Sequence, residues 1–523
     1  MFSRVVTGAV FGIVSYCMCV ETDISKGLPV FSMVGFLSNE MKEAGDRVRV
    51  ALRNAGVELP PSRIVINFSP ADIPKRGMVV DLPVAAGILA ALGVVRQSDM
   101  EGLLIAGELG LDGEVKPIRG VLPIVRSARE RGIRTCLLPV KNAAEGAVFS
   151  DMRIIPLSSL RQMIRYLLEP AEGRDALIPP FHMKSGAAAP AGGEAGGNDF
   201  SVIHGQAAAK RVLEIAAAGF HNTLLIGAPG SGKSMLARCM PGIMPPLTQE
   251  ESMEVSAIYS IAGRLPPEQP LMTRRPYLSP HHTITRAALT GGGAVPVPGA
   301  ITLANRGVLF LDELPEFGRE KLDLLRQPLE DHQIPLSRRC GSFVYPARFL
   351  MLGAMNPCPC GSYPDRSRCR CTEPEIRRYL GRISGPFLDR MDLCSETSRM
   401  GAEELIGAGA EENSETVLGR VMEAAERQAR RFRGTEFVFN ADMDARAVER
   451  YCMLGDAERR LMRRMFDRLG LTARGYHRML RTARTIADLA GEERIKEIHL
   501  MEAAGYRAAD RRYWGKEGEE AQL

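Results

Sequence analysis

The sequence predicts two successive α/β units followed by an all-α unit, and three observations carry that reading. Residues 1–171 alternate short strand-like runs with helical ones. Residues 200–410 hold an apolar strand that turns through a glycine-rich loop into a helix, and residues 411–523 place apolar side chains at helical spacing. A chain of 523 residues is too long for one core and fits roughly three domains of about 150 residues each. Its 45% apolar and 25% charged composition is that of an ordinary globular protein. A net charge of +5 over this length is too dilute to imply a nucleic-acid partner, so any such case must rest on local features.

The elements follow in order. The opening MFSRVVTGAVFGIVSYCMCVETD has the apolar run of a leader peptide, but Thr7, Gly8 and Gly12 interrupt it. It lacks an A-x-A-like cleavage site and is rich in β-branched residues, so it reads as a two-stranded hairpin. Elsewhere no run reaches the length of about 18 apolar residues that a membrane span needs. The expected compartment is therefore the cytoplasm, where the eleven cysteines are thiols or metal ligands rather than disulfides. Strand-like runs at Ile64–Phe68, Leu103–Ala106 and Thr135–Leu138 alternate with helical stretches over 38–55, 81–92 and 119–131. Residues 172–199 include KSGAAAPAGGEAGGN, whose Gly/Ala/Pro composition cannot form a core, and read as a flexible linker. In the last unit Leu461, Met462, Met465, Phe466 and Leu469 mark a helical stripe.

The chemistry concentrates in the middle unit. Gly227-Ala228-Pro229-Gly230-Ser231-Gly232-Lys233-Ser234 follows Thr223-Leu224-Leu225-Ile226 and matches G-x-x-x-x-G-K-[ST] at every fixed position, in the strand-to-helix context the motif requires. Its glycines permit backbone N–H groups to wrap phosphates, Lys233 reaches the β/γ oxygens of ATP, and Ser234 is a ligand for Mg²⁺. The buried-strand run Gly307–Leu311 ends in Asp312 and Glu313, one acid to complete the Mg²⁺ site and one to polarise the attacking water. A second such run, Phe349–Met355, ends in Asn356, placed to orient that water or sense the γ-phosphate. Arg390 closes the rigid turn SGPFLDR as a candidate arginine finger, with a local pair to Asp389 or Asp392 as its bland alternative. Thr472 is a helix N-cap that would present Arg474, and Arg478 beyond it, to the nucleotide.

Other features keep two readings each. Cys358, Cys360, Cys369 and Cys371 form CxC-x8-CxC, four thiols suited to tetrahedral Zn²⁺ but in a spacing tighter than common knuckles; reduced cysteines in a small loop are the alternative. His281 and His282 have no further His or Cys nearby and read as packing residues rather than ligands. Gln333–Ser337 and Val344–Phe349 are strand-like runs around a turn in which Arg338 and Arg339 project charge, with simple solubilising charges as the bland alternative. Arg459, Arg460, Arg463, Arg464 and Arg468 fall opposite the apolar stripe, as on a solvated helix face.

The ordered stretches GLPVFSMVG, RVALRNAGVELPPSRIVINFSPADIPKRG, GELGLDGEVKPIRGVLP, GAPGSGKS, PHHTITRAALTGGG, GVLFLDELPEF, AMNPCPCG, RISGPFLDRMDL and TARGYHRMLRTARTIADL resemble the magnesium-chelatase-like ComM/YifB family of AAA+ ATPases over almost the whole chain. The resemblance implies an N-terminal domain of Lon-protease (ribosomal S5 domain 2-like) fold, an AAA+ core and a helical lid. It further implies a homo-hexameric ring with ATP between subunits, Arg390 acting on the neighbour's nucleotide, and ATP-driven migration of branched or single-stranded DNA in recombination or natural transformation. In this resemblance the stretch bearing His281 and His282 and the hairpin bearing Arg338 and Arg339 face the pore, which makes the two arginines candidate DNA-phosphate contacts. Three rival readings stand beside it: an ATP-dependent protease, a chelatase motor and a protein remodeller. The first is disfavoured, because Val84 and Leu122 stand where a Lon peptidase needs its Ser nucleophile and Lys base.

Overall fold

The computed structural model describes residues 1–35, 41, 43–70, 79–183, 199–293, 296–338, 341–398 and 411–514. The opening hairpin forms as Phe2–Phe11 and Val14–Ser25, antiparallel from Phe2↔Asp23 to Phe11↔Val14, with Gly12 supplying the left-handed turn residue at φ 69°. It anchors a mixed seven-stranded sheet in the order Val30–Val34, Arg63–Ser69, Val14–Ser25, Phe2–Phe11, Leu103–Ile105, Thr135–Pro139, Arg153–Leu157. Helix Asp81–Ala91 is built of small and apolar residues and is buried almost throughout, because it lies between the sheet and helix Ala44–Asn54. Its one acid, the buried Asp81, takes both a 2.9 Å and a 3.0 Å hydrogen bond from the Arg47 guanidinium. Burial pushes the Asp81 carboxyl up and Arg47 opposes it, as expected for a charge that is removed from water but paired. Val84 and Leu122 are both buried core residues. The core of this unit runs from Val5 to Ile178, and Phe181 N–H still bonds to Ile154 O at 2.8 Å, so Arg174, Ile178 and Phe181 of the expected linker pack on it; residues 184–198 lie outside the described residues.

The second unit is a five-stranded parallel sheet in the order Tyr277–Leu278, Val308–Leu311, Leu350–Met355, Thr223–Gly227, Leu393–Thr397. Every residue of its three central strands is buried, which is why they read as continuous apolar runs rather than alternating ones. One face is covered by Ala207–Gly219, Lys233–Ile243 and the C-terminal helices in a shared core that includes Leu225, Phe310, Val421, Met479 and Ile486. The other carries Leu309, Leu314, Tyr345 and Phe387. The hairpin found is Gln333–Arg338 with Gly341–Pro346, paired from Gln333↔Pro346 to Arg338↔Gly341. Its second strand thus starts and ends three residues earlier than expected, since Phe349 turns inward to the core instead.

Five helices, Ser414–Arg431, Ala445–Tyr451, Asp456–Arg468, Ala473–Leu489 and Glu497–Trp514, are described in the all-α unit. The arginines of Asp456–Arg468 named above are all exposed, while Met462 is buried. A polar knot ties this unit to the sheet. The fully buried Asp488 accepts from Arg431 at 2.8 Å and Asn440 at 2.8 Å, and His221 bonds to Thr485 at 2.7 Å. Among the described residues no helix is long and apolar enough to cross a membrane.

Candidate nucleotide site

The site sits where parallel strands end, the edge at which open α/β sheets bind ligands. Strand Thr223–Gly227 lies between Leu350–Met355 and Leu393–Thr397, so Asn356 and the P-loop emerge side by side. Gly230 and Gly232 adopt φ of 76° and 85°, a region that side chains strain, and a Cβ on either would meet nothing. Their glycine identity therefore serves the backbone path, which must leave N–H groups pointing into the loop. Helix Lys233–Ile243 starts directly after Gly232 and brings Lys233 and Ser234 to the loop on its first turn, where the helix dipole also favours an anion.

Lys233 Nζ lies 2.7 Å from Gly227 O, 2.9 Å from Ala228 O and 3.3 Å from Asn356 Oδ1. The ammonium is curled into the cradle that phosphate oxygens would fill, and burial lowers its pKa while Asp312 acts against that. Ser234 Oγ donates to Asp312 Oδ2 at 2.6 Å. A hydroxyl and a carboxylate at this spacing form the hard-oxygen pair that suits Mg²⁺. Ser231 Oγ shares a 2.7 Å hydrogen bond with Thr397 Oγ1, tying the loop to the neighbouring strand. Glu313 follows Asp312 in a left-handed conformation, φ 52°, with its side chain 60% exposed. Such strain in a non-glycine residue costs on the order of 1 kcal/mol and is found where a side chain must be aimed.

The structure also places residues that sequence reasoning did not bring here. His282 Nδ1 stands 3.4 Å from Glu313 Oε2, with the His281 ring 4.0 Å from its own. The adjacency of two histidines was visible in the sequence, but not that their loop folds back over the acidic strand end. Beyond Glu313 and Asn356 a cleft is lined by Glu316, Pro359, Glu375, Arg378, Tyr379 and Arg382.

Arg390 and Arg474 converge on one carboxylate. Arg390 is 6% exposed and pairs with Glu330 at 2.8 Å, also donating to Arg326 O at 3.0 Å and to Pro386 O. Arg474, 66% exposed, reaches the other oxygen of Glu330 at 3.3 Å. Among the described residues neither guanidinium contacts the P-loop of its own chain. Asp389 and Asp392 are not the partners of Arg390; Asp392 instead meets His221 at 3.6 Å and Arg478 at 3.7 Å. Arg338 is exposed on its hairpin and donates to Ser337 O at 3.0 Å, while Arg339 lies outside the described residues. The four cysteines of CxC-x8-CxC come together, all sulfurs within 4.8 Å of one another, in a set able to hold a metal ion.

Comparison with known proteins agrees with this geometry. Residues 199–405 match the family model for magnesium chelatase, subunit ChlI; residues 20–142 match that for subunit ChlI of Mg-chelatase; and residues 411–507 match the ChlI C-terminal model. The chain is 42% identical to the uncharacterized protein YifB of Salmonella typhimurium, over 97% of each chain. It is 39% identical to the competence protein ComM of Haemophilus influenzae, over 96% of each. A partial likeness, 28% identity over 143 residues, links it to Lon protease 2 of Bacillus subtilis, covering 27% of this chain and 25% of that one. A P-loop and acidic strand end on a five-stranded parallel sheet, a C-terminal helical unit and near-complete matches of this kind together establish that the chain belongs to the YifB and ComM family of magnesium-chelatase-like AAA+ proteins.

Proposed function

We propose that this protein is an ATP-hydrolysing motor that assembles as a homo-hexameric ring in the cytoplasm and moves along DNA, acting in branch migration. The observation that carries the ATPase reading is the convergence of Lys233, Ser234, Asp312, Glu313 and Asn356 at one sheet edge. In this reading the P-loop N–H groups and Lys233 bind the β- and γ-phosphates, Glu313 takes up the proton of the attacking water, and Asn356 holds that water in line. Mg²⁺, held by Ser234 and Asp312, would supply neutralisation of phosphate charge. Arg390 and Arg474 act on the nucleotide of an adjacent subunit. Their shared contact with Glu330, rather than with their own P-loop, supports that assignment. The DNA reading draws on the relative named as a competence protein and on the exposed Arg338.

The deciding measurement is ATP turnover with branched DNA, with single-stranded DNA and with an unrelated polyanion of equal charge. Stimulation by DNA above that of the polyanion is expected. Equal rates with all three, or with none, would remove the DNA motor and leave a chelatase-type or protein-remodelling ATPase.

A further inference from the structure

Cys358 to Cys371 forms the connection from strand Leu350–Met355 to helix Glu373–Leu380. The segment between its end cysteines has little apolar content, and most of its side chains are partly or fully exposed, so burial cannot define its path. Its sulfurs nevertheless cluster: Cys358 to Cys360 at 3.4 Å, Cys360 to Cys369 at 3.6 Å and Cys358 to Cys369 at 3.8 Å, with Cys371 inside the same 4.8 Å group. Four thiolates at about 2.3 Å from a tetrahedral Zn²⁺ stand about 3.8 Å from one another, by the geometry of the tetrahedron. Disulfides would instead bring sulfur pairs to about 2.05 Å. Two of the sulfurs also accept backbone hydrogen bonds, as metal-bound thiolates do. Tyr363 N–H donates to Cys358 Sγ at 3.4 Å, and backbone N–H groups of Ser362 and Arg370 face Cys360.

The geometry points to a structural Zn²⁺ site formed by Cys358, Cys360, Cys369 and Cys371, which we infer clamps this connection against the nucleotide loop. Two contacts tie it there. Asn356, the partner of Lys233, is two residues before the first ligand. Gly361, between the second ligand and the rest of the loop, adopts φ 78° and approaches the P-loop so closely that a Cβ on it would lie 2.3 Å from Pro229 Cδ. A metal holding Cys358 and Cys360 therefore fixes the backbone that touches Pro229 on one side and carries Asn356 on the other. Binding four thiols releases their protons and leaves a complex of Zn²⁺ with four thiolates, so affinity falls as pH falls.

The test uses the full chain purified without chelators or metal-affinity resin. Native mass spectrometry and elemental analysis should give one zinc per chain, released when an organomercurial titrates the thiols. Replacement by Co²⁺ should give the visible d–d bands and sulfur-to-cobalt charge-transfer bands of a tetrahedral thiolate site. Cys369→Ser with Cys371→Ser should lose the metal and weaken binding of a fluorescent ATP analogue. Gly361→Ala should keep the metal yet also weaken nucleotide binding, because it pushes on Pro229 directly. A chain without metal whose mass shows four free thiols or two disulfides would overturn the site. So would zinc retained after all four cysteines become Ser. Metal bound as expected but with nucleotide affinity unchanged in both variants would overturn the clamp.

Discussion

Arg390 poses a choice between a structural ion pair and a catalytic one, and magnitudes separate them. Removing one partner of a fully buried pair costs about 3–5 kcal/mol because a charge is stranded. Glu330, however, is 39% exposed and keeps Arg474 at 3.3 Å, so Arg390→Ala leaves it solvated and paired. The fold should survive with a modest shift in thermal midpoint. A group acting on the transferring phosphoryl is worth about 10³–10⁵ in rate. Arg390→Ala is therefore expected to keep nucleotide binding and lose nearly all turnover. Mixing it with Lys233→Ala should restore part of that turnover, since each mixed interface can pair an intact P-loop with an intact arginine. No recovery in mixed rings shown to co-assemble would assign Arg390 to the local pair with Glu330. His282 invites a parallel experiment. Its imidazole stands 3.4 Å from Glu313 Oε2, where it competes with water for that oxygen of the carboxylate. His282→Ala should raise basal ATPase and shrink the ratio of DNA-stimulated to basal rate; an unchanged ratio would make His282 a packing residue.

At the scale of elements, the hairpin Gln333–Arg338 with Gly341–Pro346 buries Ile334, Leu336, Phe343 and Tyr345 on one face and leaves the tip charge outside. If that tip touches phosphate, Arg338→Ala with Arg339→Ala should weaken binding to all DNA sequences alike. It should also flatten the dependence of log K on log salt by about one to two units, one for each phosphate no longer neutralised. Basal ATPase should persist, and an unaltered slope would place the grip elsewhere. The joint between the helical unit and the sheet has its own signature in pH. Burial opposes ionisation of Asp392, but the His221 imidazole 3.6 Å away and the charges of Arg478 and Arg481 hold its carboxyl well below the usual range. A depressed carboxyl stabilises the fold at pH values above its unfolded pKa of about 3.9, and that stability is lost as pH falls through the folded value. Urea midpoints of wild type and Asp392→Asn should therefore differ most above pH 5 and converge toward pH 2. The local parts of this architecture were legible because chain neighbours fix them: the P-loop, the apolar runs ending in Asp312 and Asn356, and the cysteine spacing all depend on residues close in sequence. What the sequence did not reveal depends on long-range closure. Glu330 as the common partner of Arg390 and Arg474, His282 over Glu313, and Asp392 turned to Arg478 join segments about 30 to 140 residues apart, and no periodicity encodes such meetings.

Across the whole molecule, the first unit does not merely precede the AAA+ core but is packed on two of its elements. Gly120 N–H bonds to Ser260 O at 3.2 Å, and the Ser260 hydroxyl donates to Glu145, so the first unit sits on helix Gln249–Ile261. The tip of the opening hairpin meets the Arg338 hairpin, with the rings of Phe11 and Phe343 4.6 Å apart. Any swing of the Arg338 hairpin during a nucleotide cycle must therefore slide against Phe11 or carry the first unit with it. This docking is testable through Gly12. A Cβ there would lie 2.5 Å from the Phe343 ring, and φ of 69° adds backbone strain independent of the neighbour. The strain term costs about 1 kcal/mol wherever the residue sits, whereas the clash exists only while Phe343 is present. Gly12→Ala should thus destabilise the wild-type chain more than it destabilises the Phe343→Ala chain, and the difference, read from urea unfolding, should exceed the roughly 0.3–0.5 kcal/mol scatter about additivity for distant sites. Hydrogen exchange at Phe2–Phe11 should rise in Phe343→Ala as its cover is removed. Strict additivity of the two substitutions, with exchange at the tip unaltered, would mean that the two hairpins are not held together in solution and that the Arg338 hairpin moves without engaging the first unit.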